Sequence, residues 1–167
     1  MLRIDPATNH VKRLPVRVDR NRHTNAVYAG DSIWVSSDNT DLMRVNPQTG
    51  KITRIDVGGG VPFLTRDGLL WGASTDRLWV VDTRTGKVAR SVPLTDSTEV
   101  LSLGLGFDAI WVGIRHPGRV GAVLKLDAAS GKQLSEVPVD IPARIETGFG
   151  SVWVTDSGSR SLVRISP

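Results

Sequence analysis

Apolar and polar residues alternate with a period of two along most of the chain, and no segment carries the apolar spacing of a helix. The alternating runs are short and about ten residues apart, which predicts many short antiparallel strands. Four tryptophans sit in near-identical apolar settings: Ile33-Trp34-Val35, Leu70-Trp71-Gly72, Ile110-Trp111-Val112 and Val152-Trp153-Val154. They are spaced 37, 40 and 42 residues apart. A turn-prone run precedes each one: Ala29-Gly30-Asp31, Arg66-Asp67-Gly68, Gly106-Phe107-Asp108 and Gly148-Phe149-Gly150.

A second landmark follows the tryptophans. Arg44-Val45-Asn46-Pro47-Gln48-Thr49-Gly50, Val80-Val81-Asp82-Thr83-Arg84-Thr85-Gly86 and Lys125-Leu126-Asp127-Ala128-Ala129-Ser130-Gly131 each read as a strand entering a turn. Arg3-Ile4-Asp5-Pro6-Ala7-Thr8-Asn9 is a further copy at the start of the chain. The Asp or Asn accepts bonds from the backbone two residues on. The last position needs a positive φ, which glycine takes without strain and asparagine tolerates. Alternating segments follow at Val11–Val18, Lys51–Val57, Lys87–Leu94 and Lys132–Val139.

Each unit of about 40 residues therefore holds four strands, A to D, which is the blade of a β-propeller. The predicted fold is all-β, a single domain over 1–167 with about four blade equivalents. A partial blade covers 1–18, complete blades cover about 24–57, 60–94 and 98–139, and a second partial blade covers 143–167. The strand tally is two, three times four, and three. Two arrangements are open. Strand D from the start could complete the last blade and close a four-bladed ring, or the chain forms an open arc or part of a larger propeller. An open arc exposes blade faces and strand edges, which invites self-association.

The apolar-Trp-Val strand followed by an Arg-apolar-Asp-x-x-Thr-Gly-Lys hairpin resembles the bacterial YVTN/YncE-like and virginiamycin B lyase-like propellers. The resemblance covers nearly the whole chain and rests on structural residues. It implies a propeller that serves as a binding or sensing module, free-standing or attached to a bacterial signalling protein. For the lyase-like branch it implies a metal-assisted elimination by histidine and glutamate from neighbouring blades. His23, Glu99 and Glu146 are the residues this chain offers, one plausible histidine where that chemistry wants two.

Composition narrows the field. There is no cysteine, so disulfides, thiolate metal sites and cysteine catalysis are excluded. The formal net charge of +4 is carried by scattered single arginines (Arg44, Arg54, Arg77, Arg90, Arg119, Arg164), read as a solvated strand face rather than a nucleic-acid patch. No stretch has the length of a membrane-spanning helix, and the start lacks the apolar core of a signal peptide. A complete chain is expected in the cytosol, and a part of a longer protein could lie outside it.

Propellers bind ligands at the mouth of the central channel, beside strand A. The candidates there are Arg22, His23, Thr24 and Asn25, then Phe63, Thr65 and Arg66, then Glu99, then Arg144 and Glu146. As a group they suit a small polar or anionic ligand. No metal or other cofactor is expected. His10 and His116 fall on turns that do not converge, and each Asp of the repeated turns serves its own turn rather than a calcium site. The segment Ile114–Gly121 is expected as a long B–C loop, able to contact a protein partner.

Overall fold

The repeated turns form as their residue types dictate. In the computed structural model, which describes residues 1–14, 16, 24–37, 41–74, 77–94 and 99–167, Asp5 Oδ1 accepts from the amides of Ala7 and Thr8 at 2.9 and 3.1 Å. Asn46 Oδ1 does the same for Gln48 and Thr49 at 3.0 and 2.8 Å. Asp82 and Asp127 bond Thr85 and Ser130 at 2.7 and 2.6 Å. Asn9, Gly50, Gly86 and Gly131 all take the positive φ that closes the turn. The turn amides, with the Ser130 hydroxyl foremost at Asp127, hold the carboxyls of Asp5, Asp82 and Asp127 below their ordinary pKa.

These turns join the strands into antiparallel sheets. An N-terminal hairpin pairs β1 (Leu2–Ile4) with β2 (Val11–Arg13). Blade I contains β3 (Thr24–Ala29), β4 (Ser32–Ser37), β5 (Leu42–Val45) and β6 (Ile52–Ile55). Blade II contains β7 (Val61–Arg66), β8 (Leu69–Ala73), β9 (Arg77–Asp82) and β10 (Lys87–Pro93). Blade III contains β11 (Glu99–Gly106), β12 (Ala109–His116), β13 (Arg119–Asp127) and β14 (Gln133–Pro138). Blade IV contains β15 (Pro142–Gly148), β16 (Ser151–Asp156) and β17 (Ser161–Ile165). In every blade the strands neighbour one another in chain order. The fold is an all-β propeller, and there is no helix among the described residues.

A blade cannot bury both faces alone, so the blades stack. Trp34 and Leu42 of blade I pack on Leu70, Trp79 and Val81 of blade II. Trp71 and Leu78 of blade II pack on Ile110, Val112 and Leu124 of blade III. Trp111 and Val123 of blade III pack on Val152, Val154 and Ile165 of blade IV. The N-terminal hairpin joins the same stack: Met1 and Leu14 lie against Val35, Met43 and Val45 of blade I. Blades I to III thus each direct a tryptophan toward the next blade in the chain. Among the described residues, no core cluster and no hydrogen bond joins blade IV to the N-terminal hairpin.

Two expectations are corrected. The segment from Ile114 to Gly121 is not a long loop. β12 and β13 extend together until His116 pairs with Arg119, leaving a tight turn at Pro117-Gly118. Val120 there stands exposed. Nor are the arginines simply solvated. The guanidinium carbons of Arg44, Arg90 and Arg164 lie 5.4, 5.1 and 5.7 Å from the ring centroids of Trp34, Trp71 and Trp153, and Lys125 lies 5.3 Å from Trp111. In blades I, III and IV the cation stands directly opposite its tryptophan in register. In blade II that place is held by Val80, and Arg90 of β10 reaches across instead.

Candidate functional site

The innermost strand of every blade contributes to one cavity of about 380 Å³. β3 supplies Asn25, β7 supplies Leu64 and Thr65, β11 supplies Leu101 to Leu105, and β15 supplies Ala143 to Thr147. The wall between blades III and IV is tightly built. A Cβ on Gly104 would come within 2.5 Å of Ile145 Cγ2, so glycine is what lets β11 and β15 approach. Buried Ser102 donates its hydroxyl to the Pro142 carbonyl at 2.6 Å, and Thr147 donates to the Leu105 carbonyl at 2.7 Å. The first bond anchors the start of β15 and the second anchors its end.

β15 carries the charge of the site. Arg144 Nε lies 3.7 Å from Glu146 Oε1, and both side chains are largely exposed. Glu146 stands opposite Trp153 in register. The pair therefore lies on the face of blade IV turned away from blade III. The corresponding positions opposite the other three tryptophans are Val27, Leu64 and Gly104. Among the described residues, an ion pair within one inner strand occurs in blade IV.

The entry to β15 is fixed by a buried carboxylate. Asp156 accepts from the amides of Ile141 at 2.9 Å and Asp140 at 3.3 Å, from Gly158 at 3.0 Å, and from the Ser159 hydroxyl at 2.7 Å. Burial alone would push this carboxyl up, but the donors outweigh it and hold its pKa at about 2.

The structure brings together some of the sequence candidates. Asn25, Thr65, Arg144 and Glu146 share the cavity. Arg66 does not. It forms an ion pair with Asp67 at 3.2 Å and lines a separate cleft of about 360 Å³ between blades II and III, beside Trp71, Asp108 and Asp127. Glu99 lines neither cavity and is paired with Arg115 across the β11–β12 ladder. Arg22 and His23 lie outside the described residues, as do the side chains of Thr24 and Phe63. Among the described residues, no group of three or more histidine, aspartate or glutamate side chains converges to hold a metal ion. Ser102 and Thr147 were invisible as site residues in the sequence, because nothing in a strand pattern marks a hydroxyl that bonds across to another blade.

No protein-family model matches the chain, and no curated protein matches it. Solved structures do. The extracellular domain of a protein described as a hybrid two-component system from B. thetaiotaomicron superposes with a TM-score of 0.67 at 15 % identity, over 78 % of this chain. This chain spans only 19 % of that domain. Hydrazine synthase from Kuenenia stuttgartiensis gives 0.72 at 14 % identity, covering 99 % of this chain and 59 % of that one. The computationally designed Ika4 protein gives 0.70 at 11 % identity, covering 92 % of this chain and 95 % of its own. At these identities the likeness is one of fold.

Proposed function

We propose that the chain is a non-catalytic binding or sensing module of the YVTN/YncE-like kind, with its ligand seated in the inner-strand cavity. The observation that carries this reading is the Arg144–Glu146 pair on β15 beside Asn25 and Thr65. A rigid scaffold with a few polar groups converging on one cavity is the usual construction of a small-molecule site. The pair offers one cationic and one anionic partner 3.7 Å apart, which suits a small polar ligand carrying both charges. The likeness to the extracellular domain of a two-component system supports a sensory setting.

An elimination of the lyase type in this chain would need His23, Glu99 and Glu146 to converge in one pocket. Glu99 is held by Arg115 away from the cavity that holds Glu146, and this weighs against the enzymatic reading. A panel of small zwitterions, anions and cations, read by ligand-observed NMR, tests the proposal. The expected result is saturation transfer to a zwitterion that disappears in Arg144→Ala and Glu146→Ala. Equal signals in the wild type and both variants would overturn the site.

A further inference from the structure

Two seams of the blade stack repeat each other in sequence, and one is closed while the other is open. Between blades I and II, Thr83 follows the turn aspartate Asp82 and is 2 % exposed. Its hydroxyl donates to the Gly68 carbonyl at 2.8 Å, beside its own amide at 2.9 Å. Gly30 of blade I leaves it room, since a Cβ there would lie 2.8 Å from Thr83 Oγ1. Arg44 spans the same seam, with Nε bonded to Ser32 Oγ at 2.9 Å and a terminal nitrogen to the Arg84 carbonyl at 3.3 Å.

Between blades II and III the same positions carry other residues. Ala128 follows Asp127 where Thr83 follows Asp82, Asp67 stands in the place of Gly30, and Leu69 in the place of Ser32. The Ala128 amide still donates to the Asp108 carbonyl at 3.2 Å, as the Thr83 amide does to Gly68. Alanine brings no hydroxyl, so the second bond of the closed seam has no counterpart. The cation comes from strand D instead, where Arg90 reaches the Ala128 and Ala129 carbonyls. The cleft of about 360 Å³ lies at this open seam. It is interior to the stack, since blade I packs on blade II and blade IV on blade III.

The lining combines two chemistries. Leu69, Trp71 and Leu105 form an apolar floor, and Asp67, Asp108 and Asp127 stand around it. Three carboxylates meet two guanidiniums there. Arg66 is paired with Asp67 at 3.2 Å, and Arg90 is engaged by two carbonyls and the Trp71 ring. Asp127 holds Ser130 within its own turn. Asp108 is exposed, and among the described residues no group bonds its carboxylate. The cleft is therefore anionic in balance, over an apolar floor, and its Asp108 carbonyl lacks the hydroxyl donor that the sister seam supplies. A cation on an apolar stem complements all three features. An ammonium offers three donors and no acceptor, and an alkyl stem covers the floor.

We propose that the cleft between blades II and III is a second ligand site, which takes a small primary alkylammonium with its head at Asp108 and its stem over Leu69 and Leu105. The ammonium stands where Thr83 puts its hydroxyl in the sister seam, donating to the carbonyl of the second turn residue and to the Asp108 carboxylate. The attraction is that of opposite charges at an exposed rim, so it weakens as salt is added. The site is separate from the inner-strand cavity and does not rest on that cavity's ligand.

The experiment is an amide chemical-shift titration of the isotope-labelled chain with three probes that share one stem: n-pentylammonium, n-pentanol and n-pentanoate. Pentylammonium should give saturable shifts at Leu69, Asp108 and Ala128, with an affinity at least about tenfold above that of pentanol. Pentanoate should give none there. Asp108→Asn keeps the size of the side chain and the positive φ of 52°, which asparagine tolerates, and should weaken pentylammonium about tenfold. Ala128→Thr rebuilds the closed seam and should abolish the binding, with unchanged circular dichroism because the sister turn folds with Thr83 at that place. Should Ala128→Thr fail to fold, Asp108→Asn decides. Glu146→Ala should leave the shifts at the cleft as they are. The proposal is overturned by the absence of a saturable shift in the wild type, by equal affinity for pentylammonium and pentanol, or by wild-type affinity in Asp108→Asn or folded Ala128→Thr. Shifts confined to the inner-strand cavity overturn it too. The zwitterion signal that depends on Arg144 and Glu146 is read at other residues, so the two readings fail separately.

Discussion

The guanidinium of Arg90 lies 5.1 Å from the Trp71 ring centroid and donates to the Ala128 carbonyl of the next blade at 2.9 Å. One side chain thus seals its own blade's tryptophan and ties blade II to blade III. A cation over an indole is worth about 0.5–2 kcal/mol, and a charged hydrogen bond about 1.5–3 kcal/mol. Arg90→Ala should destabilise the chain by about 2–3 kcal/mol in urea unfolding. Arg90→Lys keeps the charge over the ring but loses the fork to Ala128 and Ala129, so it should recover less than half of that loss. Equal stability of all three proteins would show that the latch does nothing.

Asp156 gives a prediction in pH. Its folded pKa is about 2, below the ordinary value of 3.8. A carboxyl depressed by folding stabilises the folded state above its unfolded pKa, and that contribution is lost as pH falls through the folded value. Replacing Asp156 by alanine should cost about 1–3 kcal/mol near neutral pH, because the amides of Asp140 and Ile141 lose their acceptor. The difference in melting temperature between wild type and variant should shrink as pH falls from 3.8 toward 2. A gap that stays constant over that window would mean that the carboxylate charge is not what matters.

Much of this was legible in the sequence, and the reasons are local. The turn at Asp82-Thr83-Arg84-Thr85-Gly86 needs only a side-chain acceptor and a residue that takes positive φ, so its copies identify themselves. Trp34, Trp71 and Trp111 announce the blade spacing because each stands at the same place on strand B of its blade and packs against the next. The cavity was only partly legible. Asn25, Thr65, Arg144 and Glu146 line one cavity because they sit on strand A, a matter of position in the repeat. Arg66 and Glu99 lie outside that cavity because side-chain direction is not written in the strand pattern, and Arg66 turns to Asp67 while Glu99 turns to Arg115. The arginines over tryptophans were missed because the pairing runs across strands, between residues such as Trp34 and Arg44 that are ten apart in sequence.

Close packing sets a third expectation. Gly72 follows Trp71 on β8, and a Cβ there would lie 2.1 Å from Cζ2 of Trp79. Trp79 is itself buried and bonded through its indole nitrogen to the Gly59 carbonyl at 3.0 Å. The ring cannot withdraw without breaking that bond. Gly72→Ala should therefore cost about 1–3 kcal/mol by overpacking, read as a lower midpoint in urea with an unchanged slope. Trp79 emission should shift as the indole moves. A variant as stable as the wild type would show that the ring has room to relax.

The last prediction separates the residues that share the cavity from one that does not. The Glu99–Arg115 pair is about half exposed on both sides. Ion pairs in that setting contribute about 0–1 kcal/mol, since water already solvates both charges and holding them together costs side-chain entropy. Glu99→Ala should therefore change stability by less than about 1 kcal/mol. It should also leave ligand binding in the inner-strand cavity untouched, because Glu99 is not among the residues that line it. Glu146→Ala should be equally neutral in stability, since its pair with Arg144 is still more exposed, yet it should abolish the zwitterion signal. Two glutamates of similar exposure would then differ only in binding. If Glu99→Ala weakened the ligand as much as Glu146→Ala, the site would have to extend along β11 toward Arg115, and the cavity described by Asn25, Thr65, Arg144 and Glu146 would be only part of it.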